Sequence, residues 1–131
     1  MNKFRILIAD DNQLIRTLLV RLLEESGNLE VVGEAADGCA AVEMTRALLP
    51  DAVLMDVNMP KMDGVEASRT IHDLFPGVQV IGLSMFEKSD MGDRMLDAGA
   101  VTYFSKSDPL NQIIAGIHQV LSAENAASLI A

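Results

Sequence analysis

The feature that most constrains the fold is a regular alternation of short apolar runs with longer segments of helical spacing. The short runs are rich in β-branched and apolar residues, which is typical of buried strands; they cover residues 4–8, 30–34, 52–55, 79–83 and 101–105. Strands that alternate with helices favour a parallel sheet covered on both faces. We therefore predict a doubly wound α/β fold with five parallel strands and five helices.

Two of the intervening segments carry informative helix signals. Asp63 and Glu66 form a capping box, which predicts a helix that begins at Gly64. The segment 89–97 is a weaker candidate, because Gly92 lies near its middle and apolar anchors are few. A glycine inside a helix costs about 1 kcal/mol relative to alanine. We expect this fourth helix to form with low intrinsic stability.

Length and composition indicate one domain of ordinary size. The chain has 131 residues, half of them hydrophobic, which is enough to bury a core without a disulfide or a structural metal. We predict a folded domain over residues 1–122, followed by a tail or the start of a linker at 123–131. Cys39 is the single cysteine, so no intrachain disulfide forms and a reducing compartment is expected. With no long apolar stretch and no signal-peptide pattern at the start, we expect a cytoplasmic domain.

The charge balance restricts the partners. Ten Lys and Arg residues stand against 19 Asp and Glu residues, which gives a formal net charge of −9. Nucleic acids and anionic membranes require clusters of basic residues, so we expect this domain to contact neither. An acidic surface suits divalent cations or a basic partner instead.

Polar residues follow the predicted strands at one edge of the sheet. In doubly wound folds, functional groups collect at the carboxyl ends of the strands. The first strand leads into Asp10 and Asp11, the third into Asp56, the fourth into Ser84 and the fifth into Lys106. The sequence therefore predicts three carboxylates, one hydroxyl and one lysine around a single crevice.

This set of groups suits phosphoryl transfer. Two carboxylates about 4 Å apart repel each other by about 4 kcal/mol at an effective dielectric constant of 20, so a divalent cation stabilises such a cluster. Oxygen ligands in a partly open site suit Mg²⁺, which retains waters and binds phosphate oxygens. A lysine and a hydroxyl can hold the remaining phosphoryl oxygens, and a carboxylate can accept the group.

These residues resemble the receiver domain of two-component response regulators. The resemblance rests on Asp10 and Asp11, on the stretch DVNMPKMDG over residues 56–64, on Ser84, and on YFSK over residues 103–106. It extends from residue 3 to about 122 and implies a flavodoxin-like sheet with strand order 2-1-3-4-5. The stretches GEAADG and LSM are similar to receivers that often carry a helix-turn-helix output domain. Similar receivers also lie at the carboxyl end of hybrid sensor kinases.

The resemblance implies a role for each acidic residue. Asp56 would accept a phosphoryl group from the phosphohistidine of a histidine kinase or a phosphotransfer domain. Asp10, Asp11, Asp56 and the backbone carbonyl of Asn58 would bind Mg²⁺ or Mn²⁺. The domain is then a signalling switch rather than an enzyme, and it would belong to a longer chain with an output or kinase domain, or form a homodimer on activation.

The resemblance also implies how the signal is read and how long it lasts. Ser84 and Lys106 would bind the phosphoryl group, and Ser84 with Tyr103 would act as the switch that changes the surface of the fourth helix, fifth strand and fifth helix. Asn58, Met85 and Phe86 would line the approach of water to the acyl phosphate. Phe86 cannot form a hydrogen bond to that water, so we expect slow self-dephosphorylation, measurable as the decay of the phosphorylated protein.

One departure and three alternatives accompany this interpretation. Many receivers have a cis proline after the lysine, whereas Ser107 follows Lys106 here, so the resemblance does not extend to that bond. The stretch from Asp56 to Asn58 also faintly resembles the motif of aspartyl-phosphate phosphohydrolases, but that motif follows a first strand. A receiver that only binds partners, without regulation by phosphorylation, is the other alternative. A nucleotide-binding flavodoxin-like protein is disfavoured because no glycine-rich loop follows the first strand.

Overall fold

The computed structural model describes the backbone of residues 3–84 and 90–130, and the side chains of 3–83 and 92–123. Five parallel strands form one sheet in the order β2-β1-β3-β4-β5. The strands are β1 (Phe4–Ala9), β2 (Leu29–Ala35), β3 (Ala52–Asp56), β4 (Gln79–Ser84) and β5 (Thr102–Ser105). The helices are α1 (Gln13–Glu25), α2 (Gly38–Leu48), α3 (Gly64–Leu74), α4 (Asp90–Asp97) and α5 (Leu110–Ile130). The predicted fold class and strand order are confirmed.

The element boundaries differ from the predicted ones by small amounts. The first four strands each continue one residue beyond the predicted end, and β5 begins one residue later than predicted. The weak fourth helix is present as α4. The backbone of α5 continues to Ile130, within the segment predicted as a tail or the start of a linker. Within the described residues, no helix has the length and apolar character needed to cross a membrane.

Both faces of the sheet are buried, which explains why the strands lack polar alternation. Leu7 of β1 faces a core shared with α2, α3 and α4. Ile6 and Ile8 face a second core, shared with α1 and α5. A charged side chain inside either layer would lose its hydration without compensation. Charged residues of the strands therefore lie near the strand ends, and Asp56, at the carboxyl end of β3, belongs to the candidate site.

Side-chain caps begin the three helices that follow the first three strands. Asn12 Oδ1 accepts hydrogen bonds from the backbone N–H groups of Leu14 at 2.9 Å and Ile15 at 3.1 Å. Asp37 and Asp63 cap α2 and α3 in the same way. The helix start predicted at Gly64 is confirmed. These caps satisfy N–H groups that no helical carbonyl reaches, and they fix the loops beside the strand ends.

The start of α3 lies directly against the end of β3. Gly64 donates its backbone N–H to the Val57 carbonyl at 2.8 Å. A Cβ atom at Gly64 would lie 2.0 Å from the carbonyl oxygen of Asp56, closer than any real contact. The position of the β3–α3 loop, which carries Asp56 and Asn58, therefore depends on the absence of a side chain at residue 64.

We predict that Gly64→Ala lowers the free energy of unfolding by about 1–3 kcal/mol, because the added methyl overlaps backbone that must shift. Urea denaturation followed by circular dichroism measures this change. Gly77→Ala is the matched control, since a Cβ there meets no atom within 4 Å. The control should change the free energy by less than about 0.5 kcal/mol. Equal stability of the two variants would contradict the close packing at Gly64.

Candidate functional site

Three carboxylates meet where β1 and β3 end. Carboxylate oxygens of Asp10, Asp11 and Asp56 lie within 4.8 Å of one another. Asp10 follows β1 and Asp56 ends β3, and these strands are neighbours in the sheet. Asp10 is fully buried and Asp56 is 3% exposed, whereas Asp11 is exposed. The cluster is therefore buried on the sheet side and open to solvent at Asp11.

Lys106 supplies the opposite charge from the far side of the crevice. Its Nζ atom lies 2.8 Å from Asp10 Oδ2 and 3.1 Å from Asp56 Oδ1, and its side chain is 12% exposed. The contact with Asp10 is an ion pair and not a well-directed hydrogen bond. One ammonium group is thus shared between two buried carboxylates, and the cluster retains an excess of negative charge.

The electrostatics of the site affect the protonation of both partners. Burial raises the pKa of Asp56 to about 6; the charge of Asp10 adds to this effect, and Lys106 opposes it. The backbone N–H of Asn58 also favours the ionised form and lowers the pKa of Asp56. Burial lowers the pKa of Lys106, but the contacts with Asp10 and Asp56 outweigh burial and raise it overall. At neutral pH the site holds ionised Asp56 beside a charged lysine.

The donor set of this site suits a small divalent cation. All three clustered ligand atoms are carboxylate oxygens, the chemistry that Mg²⁺ and Mn²⁺ prefer. Asp10 Oδ2 is buried and pairs with Lys106 at 2.8 Å, and a carboxylate oxygen has a second lone pair that a cation can use. Asp10, Asp11 and Asp56 therefore fit a metal ion.

The remaining predicted site residues are described to different extents. The backbone of Ser84 ends β4, in register with Ser105 of β5, which places residue 84 at the same edge of the sheet as Asp56. Its side chain is not described. Met85 and Phe86 lie outside the described residues. The Lys106–Ser107 peptide bond is trans.

Tyr103 is half-buried on β5, with its ring against the backbone of α4. A Cβ atom at Gly92 would lie 2.2 Å from Tyr103 Cζ. Gly92 was expected only to weaken the helix, but it also provides the space that the ring occupies. The sequence gives no local signal of this contact, because the two residues lie on different elements.

Arg16 is a polar residue of this region that sequence reasoning missed. Its Nη1 atom donates to the backbone carbonyl of Asp10 at 2.6 Å, and its Nε atom lies 3.2 Å from Glu34 Oε1. Arg16 is four residues after the capping residue Asn12. That spacing places Arg16 one helical turn from the loop that follows β1. The spacing is therefore the sequence signal from which the contact between Arg16 and this loop could have been predicted.

The fold and the site define a class of protein: a phosphorylation-dependent signalling domain of the two-component type. The chain belongs to the response regulator receiver domain family, whose model matches residues 6–118.

Individual relatives agree with this assignment. The chain is 36% identical to the response regulator GacA of Pseudomonas viridiflava, over 92% of this chain and 56% of that protein. It is 40% identical to the transcriptional regulatory protein PdtaR of Mycobacterium tuberculosis, over 90% of this chain and 57% of that protein. A crystal structure of a LuxR-family two-component response regulator from Aurantimonas sp. is similar, with a TM-score of 0.88 and 30% identity, over 93% of this chain and 87% of that one. The chain spans little more than half the length of these curated relatives.

The raised pKa of Asp56 predicts a pH-dependent stability. The unfolded carboxyl group titrates near 3.8 and the folded one near 6, so the folded state binds the proton more tightly between these values. The free energy of unfolding should fall as pH rises from about 4 to about 6. Asp56→Asn should remove this slope, and at pH 7.5 without metal it should be more stable than the wild type by about 1–3 kcal/mol.

Urea denaturation in EDTA at a series of pH values measures this effect. Glu43→Gln, on the exposed side of α2, is the matched control because it removes a carboxylate away from the cluster. The control should retain the slope of the wild type. An Asp56→Asn variant that also retains the slope would show that another group carries it.

Proposed function

We propose that this domain accepts a phosphoryl group on Asp56 from the phosphohistidine of a histidine kinase or a phosphotransfer domain. The observation that carries this proposal is the buried Asp56 carboxylate, which lies beside Lys106 and two further carboxylates at the carboxyl ends of the strands. Membership in the receiver family supports it. The bond that forms joins an Asp56 oxygen to phosphorus, and the bond that breaks joins phosphorus to a ring nitrogen of the donor.

The residues around Asp56 suit this transfer. Since its pKa is about 6, Asp56 is ionised at neutral pH and has a free electron pair for attack. Lys106 already contacts this carboxylate at 3.1 Å. After transfer, the phosphoryl group carries about −1.5 to −2 charges, and the same ammonium group can pair with it. The hydroxyl of Ser84 is proposed as a second phosphoryl ligand.

Charge on the phosphoryl oxygens calls for a cation in addition to the lysine. Mg²⁺ or Mn²⁺, held by Asp10, Asp11, Asp56 and the Asn58 carbonyl, would neutralise those oxygens when bound. Asp11 is the exposed member of the cluster, whereas Asp10 and Asp56 are buried. We therefore expect a donor to approach Asp56 from the side of Asp11.

The surface of α4, β5 and α5 is the proposed output of the switch. Ser84 ends β4 and Lys106 directly follows β5, next to this surface. A phosphoryl group that attracts both residues would therefore displace it. Tyr103 packs on Gly92 between β5 and α4, which makes this contact the candidate point of change. The lifetime of the phosphorylated state stays a prediction from the sequence, because it depends on Met85 and Phe86 as well as Asn58.

The partners follow from the length of the relatives. Since the chain spans little more than half of GacA and PdtaR, we propose that it works within a longer response regulator. A homodimer formed on activation is the other arrangement that the family resemblance implies. The net charge of −9 supports an output on another domain rather than nucleic-acid contact by this one.

Direct phosphorylation tests the acceptor. With Mg²⁺ and acetyl phosphate, intact-mass spectrometry should detect the addition of one phosphoryl group to the wild type. Asp56→Asn should abolish it, because the amide oxygen is too weak a nucleophile, while the near-identical shape preserves the fold. Glu43→Gln is the control and should be modified like the wild type. Modification of Asp56→Asn at another residue would refute the assignment.

A second experiment tests whether the contact between Tyr103 and Gly92 controls the proposed output surface. Gly92→Ala should displace the Tyr103 ring, so hydrogen exchange in α4 and β5 should rise before activation and change at least twofold less on addition of beryllium fluoride. Gly116→Ala is the matched control, because its Cβ would overlap Phe104 Cζ at 2.4 Å on the α5 side of the same strand. It should alter stability and leave the response to beryllium fluoride in α4 intact. Identical responses in both variants would exclude the Tyr103 contact as the point of change.

A further inference from the structure

The polar groups of Asp10 are held from four directions. Its backbone N–H donates to the Ala35 carbonyl at 3.0 Å, and its own carbonyl accepts from Arg16 at 2.6 Å. Asp10 Oδ1 accepts the backbone N–H of Asn12 at 2.9 Å, and Oδ2 pairs with Lys106. Of these partners, only Arg16 holds the carbonyl, which belongs to the peptide unit that leads into Asp11.

The guanidinium group of Arg16 is itself fixed. Its side chain is 15% exposed, and it reaches from α1 to two separate places: the loop after β1 and Glu34 on β2. A guanidinium group is planar and presents its donors in a rigid fork, so engagement at Nε and Nη1 defines its orientation. A lysine ammonium lacks that fork and cannot reproduce both contacts in the same geometry.

Asp11 needs such a restraint more than the other carboxylates do. It is exposed, whereas Asp10 and Asp56 are held by burial and by Lys106. Carboxylates about 4 Å apart repel by about 4 kcal/mol at an effective dielectric constant of 20, so Asp11 is pushed out of the cluster. Rotation about χ1 can move the exposed carboxylate by itself, and rotation of the Asp10–Asp11 peptide unit would also move the Cα atom that carries it. The hydrogen bond from Arg16 to the Asp10 carbonyl opposes the second movement, so it holds Asp11 at a position from which its carboxylate can return to the cluster.

We propose that Arg16 is a positioning residue, which orients the Asp10–Asp11 peptide unit and thereby keeps the Asp11 carboxylate ready to bind a divalent cation. This inference rests on the metal site of the proposed function. The ion pair with Glu34 contributes to this positioning role, because the Glu34 carboxylate offsets the positive charge of Arg16. The arginine therefore orders the acidic loop while adding little positive charge that would repel the incoming cation.

Metal binding by the unphosphorylated protein tests this role without reference to phosphoryl transfer. Arg16→Lys keeps the charge and removes the fork, so the dissociation constant for Mn²⁺ should rise about tenfold, as is usual when the residue that orients a metal ligand is changed. Electron paramagnetic resonance of free Mn²⁺ measures it. Arg21→Lys is the matched control on the same helix: Arg21 pairs with Glu25 at 3.1 Å on the exposed surface, and the change should leave Mn²⁺ binding as it is.

A double-mutant cycle separates positioning from a general structural effect. If Arg16 acts through Asp11, Asp11→Asn alone weakens Mn²⁺ binding, and adding Arg16→Lys to it has less than a twofold further effect. Additive losses, or a single Arg16→Lys variant that binds Mn²⁺ like the wild type, would overturn the inference. If the Asp11→Asn variant binds Mn²⁺ as tightly as the wild type, the proposed metal site is wrong, and the inference about Arg16 is wrong with it.

Discussion

The structure of this receiver depends on one electrostatic arrangement, in which two buried carboxylates share a single lysine. Asp10 and Asp56 are almost completely withdrawn from solvent, and Lys106 contacts both. Each ionised group would cost several kcal/mol to bury alone. The lysine offsets that cost only in part, since the pKa of Asp56 remains raised. The site therefore retains a deficit of positive charge, which a cation can remove.

The fold brings these charges together from distant parts of the chain. Adjacent pairing of β1 and β3 places Asp10 beside Asp56, and the order of the remaining strands brings Lys106 to the same edge. Parallel strands that are buried on both faces leave their ends as the available positions for charge. Around this edge, the caps of α1 and α3 and the close approach at Gly64 fix the loops that carry the carboxylates.

Neutral positioning contacts complete the arrangement. The Arg16–Glu34 pair and the packing of Tyr103 on Gly92 add no net charge to the site, yet both connect it to neighbouring elements. Arg16 connects the acidic loop to β2, and Tyr103 connects β5 to α4. These contacts join the elements around the site to β2 and to α4.

The sequence by itself determined the fold class, the strand order through family resemblance, and the residues that gather at the sheet edge. It could do so because strands buried on both faces must be apolar throughout, and because charged residues at their ends are then conspicuous. Small boundary errors arose where pairing continues past the apolar run, as at Asp56, which is still part of the β3 ladder. Only the tertiary structure decided the contacts of Arg16, Gly64 and Gly92. Each depends on an atom of another element at a distance of a few ångströms, and spacing along the chain does not encode which distant atoms meet.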